Sequence, residues 1–333
     1  MRPVAHVVIG PPRHGVVRFG HDLHRAMVGC GLPGTLWQAD RVEHLHWTGD
    51  VAGLHLQFTD RVFGGTPEAA AEAVCAIVAD ADRVGLRVTA TLHDLPQPSD
   101  GRNHQRRTAA YADVCARLHA VIVSSEHERA LLHGYAPLRV AVVPLPVTFA
   151  HAERTPPPSL SVGIFGFVYP GKGHLEVLEA LAGLSEDVEL VAIGEASHGH
   201  DDLIIALHRC AETTQVRFRL TGHVPDSDVA ATLRGVTVPI APHRHISASG
   251  SINSWLAAGR RPLAPVNRYT EEMVRRNPEA LQLYPDTAAG LRTAIGRALD
   301  EPLLSWLPQS AVFTPSADEA AAQYARLFAQ WHR

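Results

Sequence analysis

The sequence predicts two doubly wound α/β domains that face each other across a cleft. The chain has 333 residues, more than one hydrophobic core usually holds. Short apolar runs alternate with stretches of helical periodicity, which is typical of a parallel sheet covered by helices. This alternation stops at Arg-Thr-Pro-Pro-Pro-Ser in residues 154–159 and then begins again. Because consecutive prolines are stiff and cannot enter a sheet interior, residues 155–160 are predicted to be the linker.

The first predicted domain comprises residues 1–154 and opens with a strand, a loop and a helix. Residues 5–9 are apolar and rich in β-forming residues, and apolar side chains recur at helical spacing after Gly15. Ser125 and Glu128 have capping-box spacing, which predicts a helix that begins directly after a strand. Further strands are predicted over residues 53–58, 87–92, 120–123 and 139–143, and helices over residues 67–83 and 107–118.

The second predicted domain, residues 161–315, repeats this pattern and is followed by a last helix in residues 316–333. Ser316 and Glu319 again have capping-box spacing. One face of the last helix is apolar and must be buried against another element; its residues are Tyr324, Leu327, Phe328 and Trp331. Strands are predicted over residues 162–165, 188–193, 216–220 and 236–240. Ligands of doubly wound domains bind at the carboxyl ends of the strands, so the loops there should carry the site.

Composition and charge exclude several classes of protein. Hydrophobic residues make up 46% of the chain and charged residues 19%, which is typical of a globular protein. The net charge of −4, with no Lys or Arg run longer than a pair, argues against a nucleic-acid partner. We find no signal-peptide pattern and no apolar run near the roughly 18 residues of a spanning helix, so a cytoplasmic protein is expected, with peripheral membrane contact left open. The cysteines are too widely spaced for a zinc knuckle or a disulfide framework, and we interpret them as reduced thiols: Cys30, Cys75, Cys115 and Cys210.

Of the 30 Lys and Arg residues, only Lys172 is a lysine. It follows a predicted strand, lies between Gly171 and Gly173, and precedes an apolar-periodic stretch. The start of a helix favours phosphate, and a compact ammonium fits where a guanidinium fork is too broad. The segment therefore predicts an anion site. A GC-rich genome is the alternative explanation, since it would replace most lysines by arginine without functional meaning.

The spacing from Gly166 to Gly171 and Lys172 matches the nucleotide-binding P-loop up to its last position. A P-loop then has Ser or Thr to hold Mg²⁺, and this chain has Gly173. Neither the strand over residues 188–193 nor a later strand ends in the Asp that would complete the metal site. A P-loop NTPase stays as an alternative, which requires Mg²⁺-dependent hydrolysis of ATP or GTP.

Taken in order, these segments resemble the retaining glycosyltransferases of family 4, which have the GT-B fold of two Rossmann-like domains. Residues 165–173 are similar to the family's Gly-Arg-Leu-x-x-x-Lys-Gly stretch. Residues 247–264 are similar to its donor-binding loop and helix, which end in Ala-x-Gly-x-Pro-Val. The resemblance covers nearly the whole chain, and its specificity comes from the order and spacing of the segments. The remaining matches are Gly15 and residues 91–94, 121–125, 191–194, 220–224 and 228–233.

The resemblance implies transfer of a hexose from a UDP- or GDP-linked sugar to an unknown acceptor, with retention at the anomeric carbon and without metal or another cofactor. On this interpretation Lys172, at the donor diphosphate, and His93, at the hexose, are the catalytic residues. Gly15 and Asp94 are acceptor-binding, and the last helix packs back on the first domain. A structural role is the alternative for His93, and a solvated helix start for Glu271. Donor-binding residues are implied at Gly166, Gly171, Gly194, Gly222, His223, Arg244, Ser249, Gly250, Ser251, Ile252 and Glu271.

The chain departs from the family where side chains bind the sugar and the ribose. The family's Arg aligns with Phe167, and its Glu-x7-Glu pair with Ile246 and Ser254. Arg244 is a candidate replacement for the guanidinium, with a solvated loop residue as the alternative. A second hypothesis is a binding or scaffold protein that holds a nucleotide sugar or a partner transferase without turnover. Base, sugar and acceptor stay unassigned, because their contacts come from loops, for which we take residues 35–46 and 97–105.

Overall fold

The structure is a computed structural model that divides into two compact units, Met1–Pro146 with Pro315–Arg333, and Val147–Thr314. Residues 155, 156 and 158 of the predicted linker lie outside the described residues. The described residues are 2–45, 50–135, 139–147, 154, 157, 159–184, 187–197, 199–243, 245–246 and 248–332.

The first unit is built on a parallel sheet. Its strands are β1 (Val4–Ile9), β2 (Gly34–Ala39), β3 (Gly53–Phe58), β4 (Arg87–Leu92), β5 (Ala120–Val123) and β6 (Arg139–Val142). They lie in the order β2-β1-β3-β4-β5-β6, so the direction of strand addition reverses between β1 and β3. Every position of β1, β3 and β5 is buried, because strands with helices on both faces form continuous apolar runs.

Helices follow the strands, as connections between parallel strands require. In the first half they are α1 (Gly15–Gly29), α2 (Asp60–Phe63), α3 (Pro67–Arg83), α4 (His104–Arg117) and α5 (Glu126–Leu131). α3 begins after Thr66, whose side chain accepts the N–H of Ala69. α5 begins after Ser125, as the capping pattern predicts, and the Glu128 carboxylate accepts the N–H of Ser124 at 2.6 Å.

The second unit contains another parallel sheet. Its strands are β7 (Ser161–Phe165), β8 (Glu189–Ile193), β9 (Arg217–Leu220), β10 (Val238–Ile240), β11 (Leu263–Pro265) and β12 (Gln282–Tyr284). The order β12-β11-β10-β7-β8-β9 is the Rossmann order, which reverses between β7 and β10. The helices are α6 (His174–Leu181), α7 (Asp201–Thr214), α8 (Asp226–Arg234), α9 (Gly250–Ala257), α10 (Arg268–Arg276) and α11 (Ala288–Asp300).

The last helix, α12 (Ala317–Trp331), packs in the first unit against α1. Ser316 and Glu319 form a complete capping box at its start. Its apolar face is buried at Tyr324, Phe328 and Trp331. The Tyr324 hydroxyl lies 2.9 Å from the Thr91 Oγ1 on β4, so a buried polar contact fixes the helix on the sheet.

The predicted fold class is confirmed, and the predicted strands agree with the structure to within two residues at each end. Part of the predicted loop 35–46 is instead the edge strand β2, in which the alternation of buried and exposed residues is incomplete. β11 and β12 were not predicted, because three residues are too few to show a period. Among the described helices, none combines the length and the hydropathy that membrane crossing requires.

Candidate functional site

The loops after β7 and β10, where the second sheet reverses its order, carry most of the predicted donor-binding residues. Such a reversal opens a crevice at the carboxyl ends of the two strands. The loop after β7 contains Gly166, Gly171 and Lys172, and the loop after β10 leads through Ser249 into α9. Lys172 Nζ donates a hydrogen bond to Ser251 Oγ at 3.3 Å, so the two loops meet at this ammonium.

Lys172 is a buried cation with an exposed fraction of 5%. Its Nζ lies 5.8 Å from the centre of the Tyr169 ring and donates to Ser251. In the part of the chain that the structure describes, no carboxylate pairs with it. Burial lowers the pKa of Lys172 to about 8. Because a buried charge is costly unless it is paired, this ammonium is poised for an anion that is not part of the described chain.

Two buried histidines, His174 at the start of α6 and His243 after β10, lie near this ammonium. No described residue forms a hydrogen bond with either ring nitrogen of His174 or with Nδ1 of His243. Burial, and then the charge of Lys172, lowers the pKa of His174 to about 3 and the pKa of His243 well below its usual range. Both rings are therefore neutral at pH 7, and the positive charge of the group is that of Lys172.

α9 begins beside Lys172 and presents backbone N–H groups to the same place. Ser249 Oγ accepts the N–H of Ile252 at 3.1 Å, so the predicted ligand contact at Ile252 is already used by the helix cap. The N–H groups of Gly250 and Ser251 donate to none of the described residues. Together with the buried ammonium, these two N–H groups favour an anion at the helix start.

Two glycines allow the loop after β7 to lie close to its neighbours: Gly194 in the loop after β8, and Gly173 in the loop after β7 where it meets the loop after β10. A Cβ atom on Gly194 would lie 2.3 Å from the carbonyl oxygen of Gly166, and one on Gly173 would lie 2.7 Å from Cγ of Pro242. The φ angles of Gly194 and Gly173, 144° and 95°, are also in the region that side chains avoid. A P-loop Ser or Thr therefore has no room at Gly173, and the structure disfavours the NTPase alternative.

Among the described hydrogen bonds and ion pairs, none joins Lys172 to the predicted donor-binding residues Gly222, His223 or Glu271. Gly171 is exposed, and no atom lies within 4 Å of a Cβ placed there. Gly222 and His223 lie in the loop after β9, and Glu271 is exposed in the first turn of α10. Arg244 lies outside the described residues.

The three positions at which the resembling family has charged side chains carry other residues here. Phe167 has 49% of its surface exposed, and Ile246 is buried in an apolar cluster. Ser254 Oγ donates to the carbonyl of Gly250 at 3.0 Å within α9. These three positions therefore supply neither a guanidinium nor a carboxylate.

A cavity of about 440 Å³ borders the same loop between α6 and α11. Its lining includes the carboxylates of Glu176, Glu179 and Asp286 and the guanidinium of Arg292. Arg292 Nη1 donates to the carbonyl of Ala180 at 2.9 Å, so this cation already serves a helix end. The excess of carboxylates disfavours a diphosphate in the cavity, in contrast to the Lys172 side of the loop.

In the first unit, the predicted residues lie at the carboxyl ends of β1 and β4. Gly15 opens α1, and His14 caps the helix by accepting a backbone N–H with Nδ1 at 3.3 Å. His93 Nε2 lies 2.9 Å from Gln57 Oε1. Burial lowers the pKa of His93 to about 4, so the ring is neutral at pH 7. Asp94 follows with its side chain exposed.

Four residues near these loops were not predicted from the sequence: His14, His174, His243, and Arg107, whose Nη2 donates to the carbonyl of Asp94 at 2.6 Å. His174 had a usable signal, because it follows the Lys172 loop directly at the first position of a helix. Arg107 is 6% exposed on α4, so its signal is an arginine at a position where the helical period calls for an apolar side chain. His14 and His243 had no signal that separates them from the other histidines.

Among the described residues, no group of three or more His, Cys, Asp or Glu side chains is arranged so that it could bind a metal ion. His243 and His245, which alternate along the chain, differ in environment: the first is buried and the second exposed.

Two parallel sheets with alternating helices give the chain the GT-B fold of two Rossmann-like domains. No protein-family model and no curated protein matches the sequence. Solved structures are similar to this chain over nearly its whole length at low sequence identity, so the similarity is one of fold.

HepE from Anabaena, solved with UDP and glucose, has a TM-score of 0.66 and 13% identity over 98% of this chain and 95% of that one. Sucrose-phosphate synthase from Thermosynechococcus elongatus has a TM-score of 0.68 and 13% identity, with coverage of 100% and 96%. WaaG, a glycosyltransferase involved in lipopolysaccharide biosynthesis, has a TM-score of 0.59 and 15% identity, with coverage of 98% and 95%.

Proposed function

We propose that the chain is a retaining glycosyltransferase, similar to those of family 4, that moves a hexose from a UDP- or GDP-linked sugar to a hydroxyl group. The observation that carries the proposal is the buried ammonium of Lys172, with which no carboxylate of the described residues pairs, at the order reversal of a Rossmann-like sheet. Doubly wound domains bind nucleotide ligands at such a reversal. The presence of UDP-glucose in the HepE structure supports this class of donor.

The chemical task is to stabilise charge on the departing diphosphate. The bond between the anomeric carbon and a phosphate oxygen breaks, the acceptor oxygen bonds to the same carbon, and the acceptor proton passes to a diphosphate oxygen. Lys172 and the N–H groups of Gly250 and Ser251 are fixed before the reaction, so they stabilise the new charge without reorganising. These groups take the place of a metal ion, and we expect activity to persist in EDTA.

Residues of the first unit are proposed to contact the hexose and the acceptor. His93 uses Nε2 for Gln57, which leaves Nδ1 for a hydroxyl of the hexose. Gly15, at the start of α1, and Asp94, after β4, are proposed to contact the acceptor.

A second candidate, a nucleotide-sugar-binding or scaffold protein without turnover, is argued from the residues at the family's charged positions. Phe167, Ile246 and Ser254 do not supply the guanidinium and the carboxylates that family 4 uses. Both candidates bind the donor, and only the transferase releases UDP or GDP from it. Release of the nucleotide across a panel of acceptors therefore decides between them.

Replacement of Lys172 by alanine is expected to weaken binding of the nucleotide sugar about tenfold to a hundredfold, since a charge-assisted contact contributes roughly 1.5 to 3 kcal/mol. Lys172→Arg should restore part of the affinity, because Lys172 is buried and Gly173 packs closely on Pro242, which leaves little room for a fork. The affinities of UDP- and GDP-sugars are measured by calorimetry with and without EDTA. Arg209→Ala, which removes an exposed cation of the same unit, is the control.

Full affinity in the alanine variant would contradict the proposed site, and loss of wild-type binding in EDTA would return the NTPase alternative. A chemical test uses the same residue, because amine-selective acylation modifies only Lys172 and the N-terminal amine. The bound donor should slow acylation of Lys172 and leave the N-terminal amine unprotected.

Donor affinity is expected to fall as the pH rises through about 8, the pKa to which burial lowers Lys172. The ammonium is the form that binds an anion. Below pH 8 the free protein already carries it, and above pH 8 the free protein must first take up a proton. The affinity should therefore decrease toward about tenfold per pH unit. Titrations between pH 7 and 9.5 measure this slope, and Lys172→Arg, which stays charged, should flatten it. A wild-type affinity that is constant to pH 9.5 would rule out the assigned role.

A further inference from the structure

Asp94 has an uncommon backbone conformation at the end of β4. Its φ angle is 51°, in the left-handed region that side chains other than glycine rarely adopt. Among the described non-glycine residues, only Gln215 shares a positive φ, and Gln215 closes α7, where this conformation is ordinary. Asp94 closes no helix. Such conformations persist where the surrounding structure enforces them, and they are concentrated at functional sites.

Hydrogen bonds from Arg107, on α4, hold the backbone of Asp94 in this conformation. The guanidinium is buried, and its Nη2 donates to the carbonyl of Asp94 at 2.6 Å. Nε and Nη2 donate to the two oxygens of the Asp60 carboxylate at 2.8 and 2.9 Å. Nη1 donates to Asp100 at 2.7 Å. The bidentate pair with Asp60 fixes the plane of the guanidinium, and that plane fixes the carbonyl of Asp94.

The neighbouring residues complete the support. The Tyr111 hydroxyl donates to the carbonyl of His93 at 2.6 Å, and the N–H of His93 donates to Phe58 at 2.8 Å. Thr59 Oγ1 donates to the Asp94 carboxylate at 3.3 Å. Both carbonyls of the His93–Asp94 turn are therefore held from within the unit, while the Asp94 side chain stays exposed.

The charges around the His93–Asp94 turn indicate which class of ligand can bind there. One guanidinium faces two nearly buried carboxylates, Asp60 and Asp100, with side-chain exposures of 6% and 18%. With the exposed carboxylate of Asp94, three carboxylates face the guanidiniums of Arg107 and the nearby Arg61, so the carboxyl end of β4 keeps an excess of one negative charge. It repels a phosphate and favours a ligand that donates hydrogen bonds from hydroxyl groups.

We propose that Arg107, oriented by Asp60, is a positioning residue that holds Asp94 in its strained conformation so that its carboxylate accepts a hydrogen bond from the hydroxyl-bearing acceptor. This inference rests on the proposed transferase function. A turn with a purely structural role would be served better by glycine, which adopts this φ angle without strain. The retained aspartate, its enforced backbone and its exposed carboxylate together point to substrate contact.

The decisive variant is Asp94→Gly, which relieves the strain and removes the carboxylate. We expect it to unfold at the wild-type temperature or above and to transfer at least tenfold more slowly, with a raised acceptor KM and an unchanged donor affinity. Asp94→Asn, which keeps the shape, should raise the acceptor KM as well. Arg107→Lys should slow transfer up to about a hundredfold, because an ammonium cannot form the fork that sets the turn. Arg106→Lys is the control, since Arg106 forms the same bidentate fork with Glu68 on the surface of α4.

A double-mutant cycle separates positioning from general stability. If Arg107 acts through Asp94, Arg107→Lys should have little further effect on transfer in the Asp94→Gly background. Additive losses, or wild-type transfer in Asp94→Gly, overturn the inference while the proposed function stands. A wild-type protein that binds the donor and serves no acceptor overturns both. A parallel loss of donor affinity and thermal stability in Arg107→Lys would show a structural role and also overturn the inference.

Discussion

A chain that ends after Pro315 is expected to lose the folded first unit, because α12 supplies one side of its core. Tyr324, Phe328 and Trp331 are each at most 5% exposed. Truncation of one buried aromatic side chain costs about 3–5 kcal/mol, and the whole stability of a domain is about 5–15 kcal/mol. Loss of the helix also leaves Thr91 without its contact to the Tyr324 hydroxyl. The free energy lost with the helix therefore matches the stability of the unit.

Hydrogen exchange measures this directly. Amide protection should be lost in β1, β3 and β4 of the truncated chain, with β7 and β8 of the second unit as the internal reference. A graded version compares Phe328→Ala, which should destabilise the first unit by about 3–5 kcal/mol, with Arg326→Ala, an exposed residue of the same helix. Unchanged protection throughout the first unit after truncation would refute the assignment of α12 to its core.

The second large effect is expected from Arg260, a fully buried arginine of the second unit. Its guanidinium donates hydrogen bonds to backbone carbonyls of two separate segments, one at residue 305 and one at residues 233–237. Nε donates to Ser305 at 3.1 Å, and Nη2 donates to Thr237 at 2.8 Å. Nη1 donates to Val236 at 2.6 Å and to two carbonyls at the end of α8. The Trp306 ring covers the guanidinium, with its centre 4.2 Å from the Arg260 Cζ. One side chain thus joins the end of α8, the residues just before β10 and the segment around 305.

Arg260→Met is expected to destabilise the second unit by about 3–5 kcal/mol, since several buried carbonyls lose their donors at once. Burial lowers the pKa of Arg260 to about 9, so the lost donor is a charged one at pH 7. Arg260→Lys should rescue little, because three donors on one nitrogen cannot reach carbonyls on both sides. Urea denaturation followed by tryptophan fluorescence measures the loss. Arg261→Ala, whose pair with Glu279 spans 3.9 Å and is partly exposed, should change the stability by less than about 1 kcal/mol. If Arg260→Met were as stable as Arg261→Ala, this account of Arg260 would be contradicted.

The architecture could be predicted from local pattern because both units obey local rules. The strand over residues 87–92 is rich in β-forming residues, with Val88, Thr89 and Thr91, and Ser125 and Ser316 cap helices at the expected spacing. The strand order could not be predicted, since pairing depends on contacts between distant segments. The assignment of the last helix to the first unit came from resemblance and not from its own pattern.

The candidate site, like the fold, could be predicted from the sequence only in part. Lys172 was found because its chemistry is rare in this sequence and its loop has a recognisable place between a strand and a helix. Its partner Ser251 is 79 residues away, and the pair of Arg107 with Asp60 spans 47 residues. A single sequence contains no record of such pairings. The left-handed conformation of Asp94 was equally hidden, because aspartate is compatible with many turns and the constraint comes from α4.

The place of α12 in the first unit also sets the order in which the protein can be completed during synthesis. Residues 147–314 leave the ribosome before α12 does, although α12 covers a core formed by residues made much earlier. At about 5–20 residues per second, this interval lasts on the order of ten to thirty seconds. During it the nascent chain exposes the apolar surface of Leu23, Met27 and Ile122, which α12 later covers. The part of the protein that is made first is therefore finished last, and a chain stalled in translation would present this surface to chaperones and to other nascent chains.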